Sequence, residues 1–162
     1  MVLFVAQASF AGGWENYVAR KQALVSHPQH LPFRLTHGQK TARSALIIHG
    51  TYSSPHYFHG MAEAFFKAGY NVVTILLPGH FEHDLKALDT TTHAQWSVEA
   101  DIGFALAQEL GEKVVVAGHS LGGLLAVEQA LKQNSEAVAG LVLLAPAMKL
   151  WAPTVAAANA GT

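Results

Sequence analysis

The 162-residue chain has no cysteine, so disulfides are excluded, and cysteine usage says nothing about the redox compartment. Charge is scarce. Only 13% of residues are Asp, Glu, Lys or Arg, and they sum to −1. That leaves no basic stripe, which argues against nucleic acid as a partner. Apolar residues make up 51%, yet no apolar run approaches the ~20 residues that span a bilayer, so no transmembrane segment is expected. A chain this long can form one domain that buries roughly 70% of its unfolded surface. Its apolar surplus points to a sheet covered on both faces.

The most informative stretch is Val114-Val115-Val116-Ala117-Gly118-His119-Ser120-Leu121-Gly122-Gly123, continued by Leu124-Leu125-Ala126-Val127. Small and β-branched apolar residues predict a short buried strand, and the Ala/Leu-rich run predicts a helix. Between them lies Gly118-x-Ser120-x-Gly122. A serine on a strand-to-helix corner of this kind adopts a strained backbone that pushes its hydroxyl outward, and side chains two residues away on either side would collide. The helix start adds free N–H groups and partial positive charge beside that hydroxyl.

Several further strands and helices are legible. Trp14 to Ser26 reads as a short helix. Leu31 to Thr36 alternates as a half-exposed strand, turned by His37-Gly38-Gln39-Lys40. Ser44 to Ile48 is a compact apolar strand ending in His49-Gly50-Thr51-Tyr52-Ser53-Ser54. Ser54-Pro55 then reads as an N-cap and first-turn proline for a helix carrying Phe58, Met61, Ala62 and Phe65. Asn71 to Leu77 is a strand running into the loop Pro78 to Asp84. Thr90 to Thr92 offer caps for a helix with the stripe Val98, Ile102, Ala105, Leu106 and Leu110. The helix after Ser120 reaches about Asn134, and Val138 to Leu144 is one more apolar strand. Strands alternating with helices give an α/β class: a mostly parallel sheet with helices on both faces.

In such a sheet, function sits at the carboxyl ends of the strands. His49-Gly50-Thr51, the Pro78 to Asp84 loop and the Ser120 turn all arrive there. A serine nucleophile needs an oxyanion hole of two backbone N–H groups, expected from Leu121 and from Thr51. His49, Gly50, His80 and His119 are placed on the substrate-side loops. Trp96, Phe81, Tyr52 and Phe58 are candidates to line an acyl pocket. His80, His83 and Asp84, and also His56-x-x-His59, invite a metal reading, but they lack the convergent spacing of a zinc site. The reading calls for no metal and no cofactor.

Leu46-Ile47-Ile48-His49-Gly50, Leu77-Pro78-Gly79-His80 and Gly118-His119-Ser120-Leu121-Gly122-Gly123 resemble, in order and spacing, the α/β-hydrolase fold family. The likeness is to its serine esterase, lipase and monoacylglycerol-lipase-like branch, over about residues 31 to 146. It implies Ser120 as nucleophile, Thr51 and Leu121 as oxyanion donors, His49 as a backbone-positioning residue, and an ester or lipid as substrate. Thioesterase, peptidase and acyltransferase activities share the same elbow. On this reading residues 31–146 are the N-terminal part of the core, without its last strands and cap. Residues 1–30 are an N-terminal segment, and 147–162 the start of a cap or a mobile tail.

One element of the family pattern has no match. The family places its acid and histidine after the strand that ends at Leu144, whereas residues 147–162 contain no Asp, Glu or His, and all ten histidines precede Ser120. Val138 to Leu144 would also be an uncharged edge strand. The expectation is that the sequence is the front part of a longer protein or that a second polypeptide supplies the missing strands; a truncated, inactive product is the remaining reading. A non-catalytic fragment acting in binding or assembly is the alternative from another class. Residues 1–11 resemble the end of a secretory signal, although no Lys or Arg precedes the apolar run. If they are a signal remnant, the protein is secreted or periplasmic; otherwise it is cytoplasmic.

Overall fold

The computed structural model describes residues 13–133 and 136–148. The signal-like residues 1–11, and all but two residues of the 147–162 segment, lie outside them. The described chain runs α1 (Gly13–Gln22), β1 (Arg34–Leu35), β2 (Thr41–Ile48), α2 (His59–Lys67), β3 (Asn71–Ile75), α3 (Ala87–Thr90), α4 (His93–Leu110), β4 (Gly111–His119), α5 (Leu121–Lys132) and β5 (Val138–Leu144). Short 3-10 turns occupy Pro28–His30 and Pro55–Phe58.

The strands form one sheet in the order β1-β3-β2-β4-β5. β2, β3, β4 and β5 are parallel, and β1 pairs antiparallel with β3. Period-2 alternation divides the core. Leu46 and Ile48 of β2 face a cluster with Phe104, Leu121 and Leu125, while Ala45 and Ile47 face Ala62, with Met61 and Phe65 packed against it. Helices thus cover both faces, as the apolar strands require. The chain first steps outward from β2 to β3, then crosses back over β2 to reach β4. In an open α/β sheet such a reversal marks where ligands bind, here the carboxyl ends of β2 and β4.

β2 and β4 begin three residues earlier than read, and the helix expected from Pro55 starts at His59 behind a 3-10 turn; four further differences have a physical reason. The first helix stops at Gln22, and the residues after it serve another purpose (below). β1 shrinks to two residues because Pro32 offers no N–H to a ladder. β3 ends at Ile75 because side chains replace a neighbouring strand: Leu76 N–H donates to Tyr17 Oη (3.2 Å) and Leu77 N–H to His49 Nε2 (3.0 Å). In α4 the buried residues are Glu99, Ala100, Gly103, Phe104, Leu106 and Ala107, and Val98 is exposed. The helix lies close on the sheet through its small residues. A methyl at Gly103 would meet Ile75 Cγ2 at 2.7 Å and Leu46 Cδ1 at 2.8 Å. The start of α4 is as read, with Thr92 and Gln95 forming a reciprocal capping box.

β5 spans Val138–Leu144 as read from the sequence and lies at the sheet edge. Leu141, Val142, Leu143 and Leu144 are each 37–40% exposed.

Candidate active site

Ser120 sits between β4 and α5 with φ 52 and ψ −115, a strained conformation for a residue with a side chain. Hydrogen bonds fix it from both sides. Its N–H donates to Leu144 O (3.0 Å), and its carbonyl accepts from the N–H groups of Gly123 (3.0 Å), Leu124 (3.2 Å) and Ala147 (3.0 Å). The flanking glycines are steric requirements. A Cβ at Gly118 would overlap the carbonyl of Gly122, and one at Gly122 would overlap the carbonyls of Ile48 and His49. The Ser120 hydroxyl is partly exposed and has no partner among the described residues. As the first residue of α5, Leu121 presents a helix N–H that has no intrahelical acceptor.

The turn after β2 packs directly on this corner. A Cβ on Gly50 would lie 3.0 Å from Ser120 Cβ and 2.9 Å from His119 Nδ1. Gly50 therefore sets how closely the next residue, Thr51, approaches Ser120. Thr51 is exposed, and Tyr52 follows with a positive φ of 55. His119 lies toward this turn, with its ring tilted against Phe58.

His49 does not face a substrate; it is 1% exposed beneath the turn. Its Nε2 accepts from Leu77 N–H, so its Nδ1 carries the proton and donates to Gly50 O (2.8 Å). It ties the turn after β2 to the end of β3. Burial pushes its imidazole from the ordinary 6.5 down to about 3. A folded pKa below the free value means that the stabilisation is complete above pH 6.5 and is lost as pH falls toward 3. Urea unfolding at pH 7, 5.5 and 4 should show stability falling through that window, with His49 contributing up to about 1.4 kcal/mol per pH unit. In His49→Gln that part of the slope should disappear.

His80 is also buried. Its Nδ1 donates to Pro78 O (3.0 Å), its Nε2 has no partner, and burial lowers its pKa. It borders a cavity of about 250 Å³ beside the turn after β2, shared with Tyr52, Phe81, Leu85 and Leu88. Of the four aromatics expected to line a pocket, Tyr52 and Phe81 do. Trp96 instead packs on the core and donates to Pro78 O, and Phe58 packs with Ala62 on the other face. Asp84 caps Lys86 N–H, and the His83 N–H is held by Leu24 O. Among the described residues, no three His, Asp or Glu side chains are grouped to hold a metal ion. Sequence reasoning missed Ser54 as a partner of His30, having read it as an N-cap; it precedes the Pro55–Phe58 turn but its hydroxyl bonds His30 rather than capping that turn.

A family model described as the alpha/beta hydrolase family matches residues 45–161. The chain is 30% identical over 116 residues to a thermostable monoacylglycerol lipase of Bacillus sp. (strain H-257), covering 72% of this chain and 44% of the lipase. It is 29% identical over 113 residues to phospholipase YtpA of Bacillus subtilis (strain 168), covering 65% of this chain and 40% of the phospholipase. A solved structure of the metagenome-derived lipolytic enzymes LipS and LipT superposes with a TM-score of 0.70 at 28% identity, covering 80% of this chain and 51% of that one. The chain thus spans about half the length of these relatives or less. The match begins at Ala45 in β2 and runs through the Ser120 corner to Gly161, and the chain belongs to the alpha/beta hydrolase family.

Proposed function

We propose that this chain carries the nucleophile half of a serine hydrolase of carboxylic esters, with an ester or lipid as substrate. The observation that supports it best is the strained Ser120, partly exposed at the start of α5 and packed against Gly50. In this reading Ser120 Oγ attacks the acyl carbonyl carbon while a histidine takes its proton. The resulting oxyanion accepts hydrogen bonds from Thr51 and Leu121 N–H groups, each worth about 3 kcal/mol of transition-state stabilisation. The tetrahedral intermediate collapses, the alcohol leaves with the histidine's proton, and water then hydrolyses the acyl-enzyme. The lipase names of the relatives favour an ester over a thioester, a peptide or acyl transfer.

The base and the acid would reach Ser120 from polypeptide outside these 162 residues, either further along the same protein or on a second chain. Three observations support this. Every histidine precedes Ser120, both ring nitrogens of the buried His49 are engaged in the fold, and the apolar β5 lies at the sheet edge. Residues 31–146 are then the first part of the core, and 147–162 lead toward a cap.

A fluorophosphonate probe, applied to protein that includes the remaining polypeptide, should label Ser120, and Ser120→Ala should lose the label completely. Absence of labelling in that complete material sinks the proposal. The exposed β5 also favours a second reading, a non-catalytic assembly partner. It requires a polypeptide that co-purifies along β5 with no cleavage of short p-nitrophenyl esters.

A further inference from the structure

The segment between α1 and β1 lies ahead of the family match, yet it bonds both to the turn beside Ser120 and to the loop after β3. Leu24 to His30 runs along the 78–84 loop. Ser26 donates to Phe81 O through its N–H (2.7 Å) and its Oγ (2.8 Å), His83 N–H donates to Leu24 O (2.9 Å), and Val25 pairs antiparallel with Glu82. Phe81 carries a positive φ of 53, which this strap sustains.

His30 ends the strap and is 5% exposed. Its Nε2 lies 3.1 Å from Gln29 Nε2, and its Nδ1 lies 2.9 Å from Ser54 Oγ. An amide nitrogen only donates, so His30 Nε2 accepts and Nδ1–H donates to Ser54. Ser54 is fully buried at the end of the turn that contains Gly50 and Thr51, so its hydroxyl needs this partner. The His30 ring also stacks on Phe81, with centroids 3.8 Å apart and planes at 19°. A single imidazole therefore touches the strap, the turn after β2 and the loop after β3.

We propose that His30 is a positioning residue: it clamps the Gly50–Ser54 turn to the 78–84 loop and so keeps Gly50 in place against Ser120. The catalytic meaning of the clamp rests on the hydrolase reading above; the clamp itself does not. The titratable groups facing it are His27 on its own turn and His56 on the Pro55–Phe58 turn, both with ring centroids at 6.3 Å, while Ser54, Gln29 and Phe81 bring no charge. Burial first, then His27 and His56, lower its pKa from 6.5. The neutral ring favours the folded chain above pH 6.5, and that stabilisation is lost as pH falls toward the lowered value, while the Nδ1–H bond to Ser54 is available in both protonation states.

Amide hydrogen exchange on the 162-residue chain tests this, read at four amides bonded within the clamped segments: Ser26, Ser53, Tyr57 and His83. His30→Phe keeps a ring to stack on Phe81 but removes the bond to Ser54. It should speed exchange at these amides about tenfold, leaving α4 and α5 unchanged. His30→Asn places an N–H near the former Nδ1 and should recover part of the protection. If His30→Phe does not fold, Ser54→Ala gives the same reading. Exchange that ignores these substitutions overturns the clamp. Ser120 labelling in the complete protein should slow in His30→Phe in step with the exchange. Exchange that responds while wild type never labels sinks the hydrolase reading alone; labelling with unresponsive exchange sinks the clamp alone.

Discussion

Replacing Gly122 with alanine should destabilise the chain by about 3–4 kcal/mol and abolish any labelling of Ser120. The added methyl would overlap the carbonyls of Ile48 and His49. Both are backbone, at the end of the strand at the centre of the sheet and in the residue just after it, and cannot turn aside as a flexible side chain can. The corner must then move away from β2, taking Ser120 from its contact with Gly50. Gly60→Ala in α2 is the internal control. A methyl there meets nothing within 4 Å, and alanine's better helix propensity should stabilise the protein by up to about 1 kcal/mol. Urea unfolding of the two variants should shift in opposite directions. Equal shifts would mean that the close approach at Gly122 is unimportant.

Glu99→Ala should cost about 3–5 kcal/mol although the residue takes no part in the proposed chemistry. Glu99 is buried in α4, where Oε1 accepts from Tyr17 Oη (2.7 Å) and Oε2 pairs with Lys21 Nζ (2.8 Å). Tyr17 in turn accepts from Leu76 N–H. Removing the carboxylate leaves an ammonium and a phenol buried without their partner. Burial and the neighbouring Glu99 charge already raise the Tyr17 pKa well above its ordinary value. The double variant Lys21→Met with Glu99→Leu should recover most of the loss, because a well-packed apolar pair is often as stable as a buried ion pair. Thermal melts of the single and double variants separate the two effects. A double variant as damaged as Glu99→Ala would show that the pair is needed for more than mutual compensation.

The central sheet was readable because its strands are continuous apolar runs, each closed by a turn residue, and the Ser120 corner because it demands glycines at fixed spacing. β5 matched residue for residue for the same reason. Where polar groups are buried, the pattern failed. α4 presents Glu99 to the interior and Val98 to water, because Lys21 and Tyr17, some eighty positions earlier, compensate the carboxylate. His49 and His80 read as loop residues open to a substrate, yet hydrogen bonds to Leu77, Gly50 and Pro78 hold them inside. The strap from Leu24 to His30 has no periodicity at all. Its order comes from pairing with a loop more than fifty residues away, which local sequence cannot announce.

The hydrogen bonds that fix Ser120 have a consequence for biosynthesis. Two of the four named above depend on Leu144 and Ala147, which leave the ribosome well after β4 and α5. A nascent chain that ends short of β5 has only the Gly123 and Leu124 bonds to hold the corner at its unfavourable torsion angles. The other two bonds to Ser120 form only once β5 has docked on β4.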